Sequence, residues 1–186
     1  MRIIGGQFRG RSLVTPKGQG TRPTADRTRE ALFNVLAARD DFSFDGARVI
    51  DLFAGSGALG LEAMSRGGAW CLFVETDAGA RGAIRDNIEA LGLFGVTRIH
   101  RRSAASLGVK PASAGAPFTL AFLDPPYEKG LVLPALETLR DGAWLGDGAI
   151  VIVEQGKNET PAAVTDFTEI DRRAYGAAQI GLYRYR

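Results

Sequence analysis

The hydrophobic residues fall into short apolar runs separated by longer amphipathic stretches, a pattern that predicts alternating β-strands and α-helices. Strands are predicted near residues 47–52, 70–75, 96–101, 118–124 and 148–154, and helices near 58–66, 77–91 and 129–140. Two apolar-alternating segments, near 165–172 and 178–185, are typical of a terminal antiparallel pair. This order predicts an α/β protein with a doubly wound, mostly parallel sheet covered by helices on both faces.

The first forty residues differ from the rest of the chain in pattern and charge. Apolar segments at 2–4 and 11–14 predict a β-hairpin, and a helix is predicted from about residue 24 to 38. Residues 1–40 hold eight Arg or Lys and three acids, whereas residues 41–186 hold 15 basic and 18 acidic residues. We therefore expect a basic extension, residues 1–40, of one domain whose body spans 41–186. Such an arm suits an anionic partner, and a merely solvated face is the alternative.

A glycine-rich turn follows the first strand of the body. Gly55, Gly57 and Gly60 match G-x-G-x-x-G, and Glu75 ends the next strand at the spacing of a ribose-binding carboxylate. Asp51 lies just ahead of the turn, where a carboxylate would repel the phosphates of a dinucleotide but suit a cationic ligand. S-adenosylmethionine carries an ammonium and a sulfonium and has no phosphate. The pattern therefore favours this cofactor over NAD.

The apolar run 118–123 ends in a second motif, Asp124-Pro125-Pro126-Tyr127. Because the prolines fix φ and have no N–H, this turn offers carboxylate and carbonyl acceptors beside an aromatic ring. Two acceptors that hold an exocyclic amine return its lone pair to nitrogen, and the ring can stack on the base. The motif predicts an amine nucleophile, for which a sulfonium methyl is the matching electrophile. An ordinary strand-to-helix turn is the alternative.

Together the two motifs resemble class I S-adenosylmethionine-dependent methyltransferases. More narrowly, the chain resembles the RsmD-like family, which methylates the N2 of a guanine in bacterial small-subunit (16S) ribosomal RNA. The narrower likeness rests on the N-terminal blocks 2–6, 8–11 and 22–34. The resemblance implies a seven-stranded Rossmann-like sheet and S-adenosylmethionine as methyl donor. It also implies that the partner is ribosomal RNA, the small subunit or an assembly intermediate.

The residues and the resemblance together assign roles to three groups of side chains. In the catalytic motif, Asp124 and the Pro125 carbonyl are expected to polarise the amine, next to Pro126 and a stacking Tyr127. The expected cofactor-binding residues are Thr24, Asp51, Phe53, Ala54, Gly55, Gly57, Glu75, Thr76, Ser103 and Ala104. The expected RNA-binding residues are Arg9, Arg11, Arg22 and Arg27.

Two of these assignments leave alternatives open. Many relatives carry an acid after the third strand to bind the adenine amine, and here the Ser103 hydroxyl or a backbone group has to substitute. A basic residue of the block around Arg22 would instead pair with the cofactor's carboxylate if it does not bind RNA phosphates.

Composition narrows the class of protein further. A single cysteine, Cys71, excludes an internal disulfide, and with one histidine in the chain we expect no metal site. The longest aliphatic run, 149–153, is too short to cross a bilayer. We therefore expect a cytoplasmic, monomeric enzyme with no membrane partner. Three alternatives remain: a methyltransferase acting on adenine N6 or cytosine N4 of DNA or another RNA, an NAD-dependent oxidoreductase, and a non-catalytic RNA-binding protein.

Overall fold

The computed structural model describes residues 1–16 and 23–186, with residues 23–25 described by their backbone alone. Two compact units, Met1–Arg101 and Arg102–Arg186, make up the described chain. Among its described residues, the first unit holds three α-helices and three strands: α1 (Pro23–Ala37), β1 (Arg48–Leu52), α2 (Ala58–Ser65), β2 (Trp70–Val74), α3 (Ala78–Leu91) and β3 (Thr97–His100). Its strands are parallel, with β2 paired to both β1 and β3.

The second unit holds one helix and four strands: β4 (Phe118–Leu123), α4 (Val132–Asp141), β5 (Leu145–Gly156), β6 (Phe167–Tyr175) and β7 (Ala178–Tyr185). Strand β4 pairs with β5 in parallel, while β7 is antiparallel to both β5 and β6. The central strands β1, β2 and β4 are buried along almost their whole length, as is usual for parallel strands with both faces covered.

The sheet order of the described strands is β3-β2-β1-β4-β5-β7-β6, mostly parallel with an antiparallel end. The predicted fold class is therefore confirmed. Element bounds differ from the prediction mainly around β5, which is longer at both ends, and α4, which begins at Val132 instead of 129. Glu128 and Gly130 both have positive φ, which keeps the chain out of a helix until after this turn.

The predicted N-terminal β-hairpin is present in a short form. Its two segments share an antiparallel bridge, Arg2 to Ser12, and Ile3 donates its N–H to the Arg11 carbonyl at 3.0 Å. The pairing is too short to count as two full strands.

A helix side chain holds the same segment from the other side. Ile4 and Gly5 donate their N–H groups to the two carboxylate oxygens of Glu62 on α2, each at 2.8 Å. Glu62 thus satisfies backbone donors that the hairpin leaves unpaired.

A buried amide side chain ties the end of this arm to the glycine turn. Asn87 on α3 accepts the Val14 N–H at 2.7 Å and donates to the Val14 carbonyl at 2.9 Å. The same amide nitrogen donates to the Ser56 carbonyl at 3.0 Å. The path of the arm is therefore fixed relative to the turn that follows β1.

Gly60 on α2 is a position where no side chain fits. A Cβ there would lie 2.5 Å from the Phe73 ring and 2.7 Å from the sulfur of Cys71, both of which are buried. We expect Gly60→Ala to lower the free energy of unfolding by about 1–3 kcal/mol through overpacking. Gly82→Ala on α3 is the matched control, since its Cβ meets nothing within 4 Å and alanine favours a helix. Urea denaturation of both variants measures this difference, and a Gly60→Ala protein as stable as Gly82→Ala would contradict it.

Candidate active site

In the first unit, the chain turns sharply between β1 and α2. Phe53, Gly55 and Gly57 all have positive φ, at 59°, 56° and 78°. Ala54 anchors the turn to β2 by donating its N–H to the Val74 carbonyl at 3.2 Å. Gly57 precedes α2 in a left-handed conformation that suits glycine, and it offers the helix no capping side chain.

One carboxylate from the strand ends takes the place of that cap, and a second holds the loops. Asp51, 1% exposed, accepts the N–H of Gly60 in the first turn of α2 at 2.9 Å. Glu75, which follows β2, accepts the N–H of Gly55 at 2.8 Å through one oxygen and that of Asp77 at 2.8 Å through the other. Both acids therefore hold backbone donors of the loops at the carboxyl ends of β1 and β2.

The hydrogen-bond acceptors of this loop suit the predicted cofactor. Each oxygen of Glu75 accepts one backbone N–H, and an ionised carboxylate has about four lone-pair sites, so acceptor capacity remains for a ribose diol. The loop contributes negative rather than positive charge, which disfavours a pyrophosphate. The role of Asp51 toward the cofactor's ammonium stays a prediction.

Arg81 on α3 supports the neighbouring loop and was not foreseen from the sequence. Its guanidinium donates to the carbonyl of Thr76 at 2.5 Å, and its side chain is buried. Thr76 itself is exposed. The signal in the sequence is weak, because an arginine within a helix ordinarily predicts a solvated side chain.

The predicted RNA-binding arginines differ in their surroundings. Arg9 is exposed, as is Arg27 on α1. Arg11 donates to the carbonyl of Ala90 near the end of α3 at 2.7 Å, so its guanidinium also holds the arm in place. Arg22 and the side chain of Thr24 lie outside the described residues.

In the second unit, the Asp-Pro-Pro-Tyr motif follows β4 directly, as predicted. Pro125 is buried, whereas Asp124, Pro126 and Tyr127 are exposed. The Tyr127 hydroxyl donates a hydrogen bond to the carboxylate of Glu154 on β5. The sequence reasoning missed Glu154, which stands at the carboxyl end of the apolar run of β5 just as Asp124 follows that of β4.

The negative charge of Glu154 acts on Asp124. Asp124 is open to solvent on one side, yet neighbouring protein atoms remove part of the water around its carboxylate. This desolvation, and next the negative charge of Glu154, raise its pKa above the ordinary value. Burial likewise raises the pKa of Glu154, while the Tyr127 hydrogen bond opposes that rise. The pKa of Tyr127 is raised by partial burial and by Glu154, so its phenol stays a donor.

A third acid braces the turn. Glu159 accepts the N–H of Gly156 at 2.5 Å and that of Glu128 at 3.1 Å, joining the loop after β5 to the loop after the motif.

Ser103 and Ala104 also belong to the second unit. Ser103 is exposed and its hydroxyl accepts the N–H of Ala105 at 3.3 Å, while Ala104 is buried.

The seven-stranded fold with its glycine turn and Asp-Pro-Pro-Tyr motif defines a Rossmann-like methyltransferase. The family model described as "Conserved hypothetical protein 95" matches residues 1–184. The chain belongs to this family, and its RsmD-like resemblance is confirmed.

Individual relatives cover nearly the whole chain. Ribosomal RNA small subunit methyltransferase D of Escherichia coli is 38% identical over 185 residues, which is 99% of this chain and 89% of the relative. YlbH of Bacillus subtilis is 38% identical over 188 residues, covering all of both chains. The solved structure of Escherichia coli yhhF is similar with a TM-score of 0.83 and 34% identity, covering 100% of this chain and 98% of the other. Across the described residues, no helix has the length and apolar character needed to span a membrane.

The raised pKa of Asp124 predicts a pH-dependent cost in stability. Between the ordinary carboxyl pKa and the raised one, the folded chain binds more protons than the unfolded chain, so stability falls as pH rises through this window. Asp124→Asn removes this charge. At pH values above the raised pKa of Asp124, this variant should therefore unfold at a higher urea concentration than the wild type. The difference should vanish below about pH 3.9, where an unfolded aspartate is also protonated.

Asp147→Asn provides the matched control for that measurement, because Asp147 is an exposed carboxylate on the same strand as Glu154. Its urea midpoint should follow the wild type across the pH range. Equal midpoints for Asp124→Asn and the wild type at every pH would contradict the proposed cost.

Proposed function

We propose that this chain transfers a methyl group from S-adenosylmethionine to the exocyclic N2 amine of a guanine in small-subunit ribosomal RNA. The observation that carries the proposal is the Asp-Pro-Pro-Tyr turn after β4, exposed at Asp124, Pro126 and Tyr127, in a chain that is 38% identical to a ribosomal RNA small subunit methyltransferase. The partner is ribosomal RNA, free or within the small subunit or an assembly intermediate.

The first unit supplies the cofactor site in this proposal. Glu75 would accept hydrogen bonds from the ribose hydroxyls, and the loop from Phe53 to Gly57 would hold the rest of the cofactor. When bound, S-adenosylmethionine supplies a methyl group activated by its sulfonium, and the displaced thioether leaves without charge. Asp51 favours the ammonium of the methionine portion through its negative charge.

The second unit supplies the amine site. Asp124 and the Pro125 carbonyl accept the two N–H bonds of the amine, which localises the lone pair on nitrogen for attack on the methyl carbon. As the nitrogen–carbon bond forms and the carbon–sulfur bond breaks, the nitrogen becomes acidic and loses one proton to Asp124 or to water. Tyr127 stacks on the base, a contact of about 1–3 kcal/mol. Holding nitrogen, methyl and sulfur in line supplies the remaining acceleration.

The target base has to leave its helix to enter such a site. Inside a duplex, the guanine N2 amine already donates one hydrogen to the paired cytosine and the base is held in the stack. Both amine hydrogens are therefore free for Asp124 and Pro125 only when the nucleotide is unpaired or flipped out. The exposed Arg9 on the basic arm then holds the adjoining phosphates. Adenine N6 and cytosine N4 fit the same turn by amine chemistry alone and form the second candidate.

Removing the Asp124 carboxylate tests the chemistry. Asp124→Ala should lower methyl transfer by at least about 100-fold, the usual scale for a positioned proton acceptor, while cofactor affinity stays unchanged. The assay uses labelled S-adenosylmethionine with small subunits from a strain lacking the activity, followed by nucleoside mapping. Asp147→Ala is the control variant and should retain wild-type turnover. Full turnover by Asp124→Ala, or label on a base other than guanine, would refute the assignment.

Neutralising Arg9 tests the arm. Arg9→Ala should weaken RNA binding and reduce the slope of log affinity against log salt by about 0.7–0.9, one phosphate contact. Arg173→Ala is the control, because Arg173 is an exposed arginine that pairs with Asp171 at 3.0 Å on β6. An Arg9→Ala protein with the affinity and salt slope of Arg173→Ala would rule out a role for this arginine.

A further inference from the structure

Glu154 occupies a defined place next to the Asp-Pro-Pro-Tyr turn. Strands β4 and β5 are parallel, and their last paired positions are Leu123 and Val153. An acid comes next in each segment: Glu154 within β5, and Asp124 directly after β4. Neighbouring strands lie about 4.8 Å apart, so the two acids start from adjacent positions, and the charge of Glu154 acts on Asp124.

The hydrogen bond from Tyr127 orients the Glu154 side chain, and the carboxylate can still accept further hydrogen bonds. The hydroxyl donates to Oε1, and Glu154 is only partly exposed. A carboxylate has about four lone-pair sites, so Glu154 keeps acceptor capacity beyond the Tyr127 hydrogen bond. Glu154 therefore offers a second fixed acceptor next to the one assigned to the amine.

Two adjacent acceptors match one base edge in particular. Guanine presents two neighbouring donors, the N1–H and the N2 amine. Adenine N6 and cytosine N4 each stand beside a ring nitrogen with a lone pair, which would face Glu154 as acceptor against acceptor. A buried polar contact of the wrong sense is costly because neither group can turn to water.

We propose that Glu154 is the specificity-determining residue of this site, accepting the guanine N1–H while Asp124 holds the N2 amine. This inference rests on the proposed function and adds the means by which guanine is chosen over adenine and cytosine. The repulsion between the two carboxylates fits the same role, because a base with two adjacent donors relieves it and a base with one does not.

The test separates the N1–H from the amine. The methylated guanine, once mapped, is replaced by 2,6-diaminopurine through ligation of the ribosomal RNA and reassembly of the subunit. This base keeps the amine at C2 but carries a lone pair at N1. The measured quantity is the ratio of kcat/KM for the guanine and 2,6-diaminopurine subunits. Wild type and Asp147→Asn should both prefer guanine by about 10- to 100-fold, the scale of one mismatched hydrogen bond.

Glu154→Gln should lose most of that preference, because its amide can donate to the N1 lone pair of 2,6-diaminopurine. The glutamine carbonyl can still accept the Tyr127 hydroxyl, so the position of the ring is preserved. A Glu154→Gln enzyme with the wild-type ratio would overturn the inference and leave Glu154 as a support for Tyr127 alone. A wild type that methylates both subunits equally would overturn it as well.

These outcomes are distinct from failure of the proposed function. If the wild type leaves the natural guanine subunit unmethylated, the proposed function falls and the inference with it. If guanine is methylated at N2 but the ratio is insensitive to Glu154→Gln, the inference alone falls.

Discussion

The hydrogen bonds between strand-end carboxylates and loop amides are the constraint on which the first unit depends. Asp51 holds the first turn of α2 through Gly60, and Glu75 holds Gly55 at the centre of the glycine turn. Because β1 and β2 are parallel and in register, their carboxyl ends bring both acids to one edge of the sheet. The loop is thereby shaped before any ligand binds, at the cost of concentrating negative charge there. That charge is what suits a cationic nucleoside and disfavours a dinucleotide.

In the second unit, too, acidic side chains are held where their ionisation costs stability. Desolvation and the charge of Glu154 raise the pKa of Asp124, and burial raises the pKa of Glu154, an arrangement that folding alone would not favour. Tyr127 and Glu159 hold the surrounding loops through hydrogen bonds, so the pair is kept in place by its neighbours. Stability given up at such a site is consistent with selection for acceptors of amine hydrogens.

The sequence predicted what local patterns encode. Apolar runs predicted the strands. Asp51, Glu75 and Asp124 were placed at strand ends because each comes at the end of such a run. Hydrogen bonds between residues that are far apart in the sequence could not be predicted from it. They include those of Glu62 to the arm, of Asn87 to Ser56, of Arg81 to Thr76 and of Tyr127 to Glu154. The hairpin was predicted, but nothing in residues 2–14 reveals that a helix side chain will satisfy two of its N–H groups.

Binding of S-adenosylmethionine to the wild type and to Glu75→Ala, measured by calorimetric titration with NAD⁺ as the competing ligand, tests the central claim most directly. The account predicts that the wild type binds S-adenosylmethionine and not NAD⁺. It also predicts that Glu75→Ala, checked for folding by its thermal midpoint, binds about 10- to 100-fold more weakly through loss of charge-assisted hydrogen bonds. A wild type that prefers NAD⁺, or a folded Glu75→Ala protein with unchanged affinity, would contradict it.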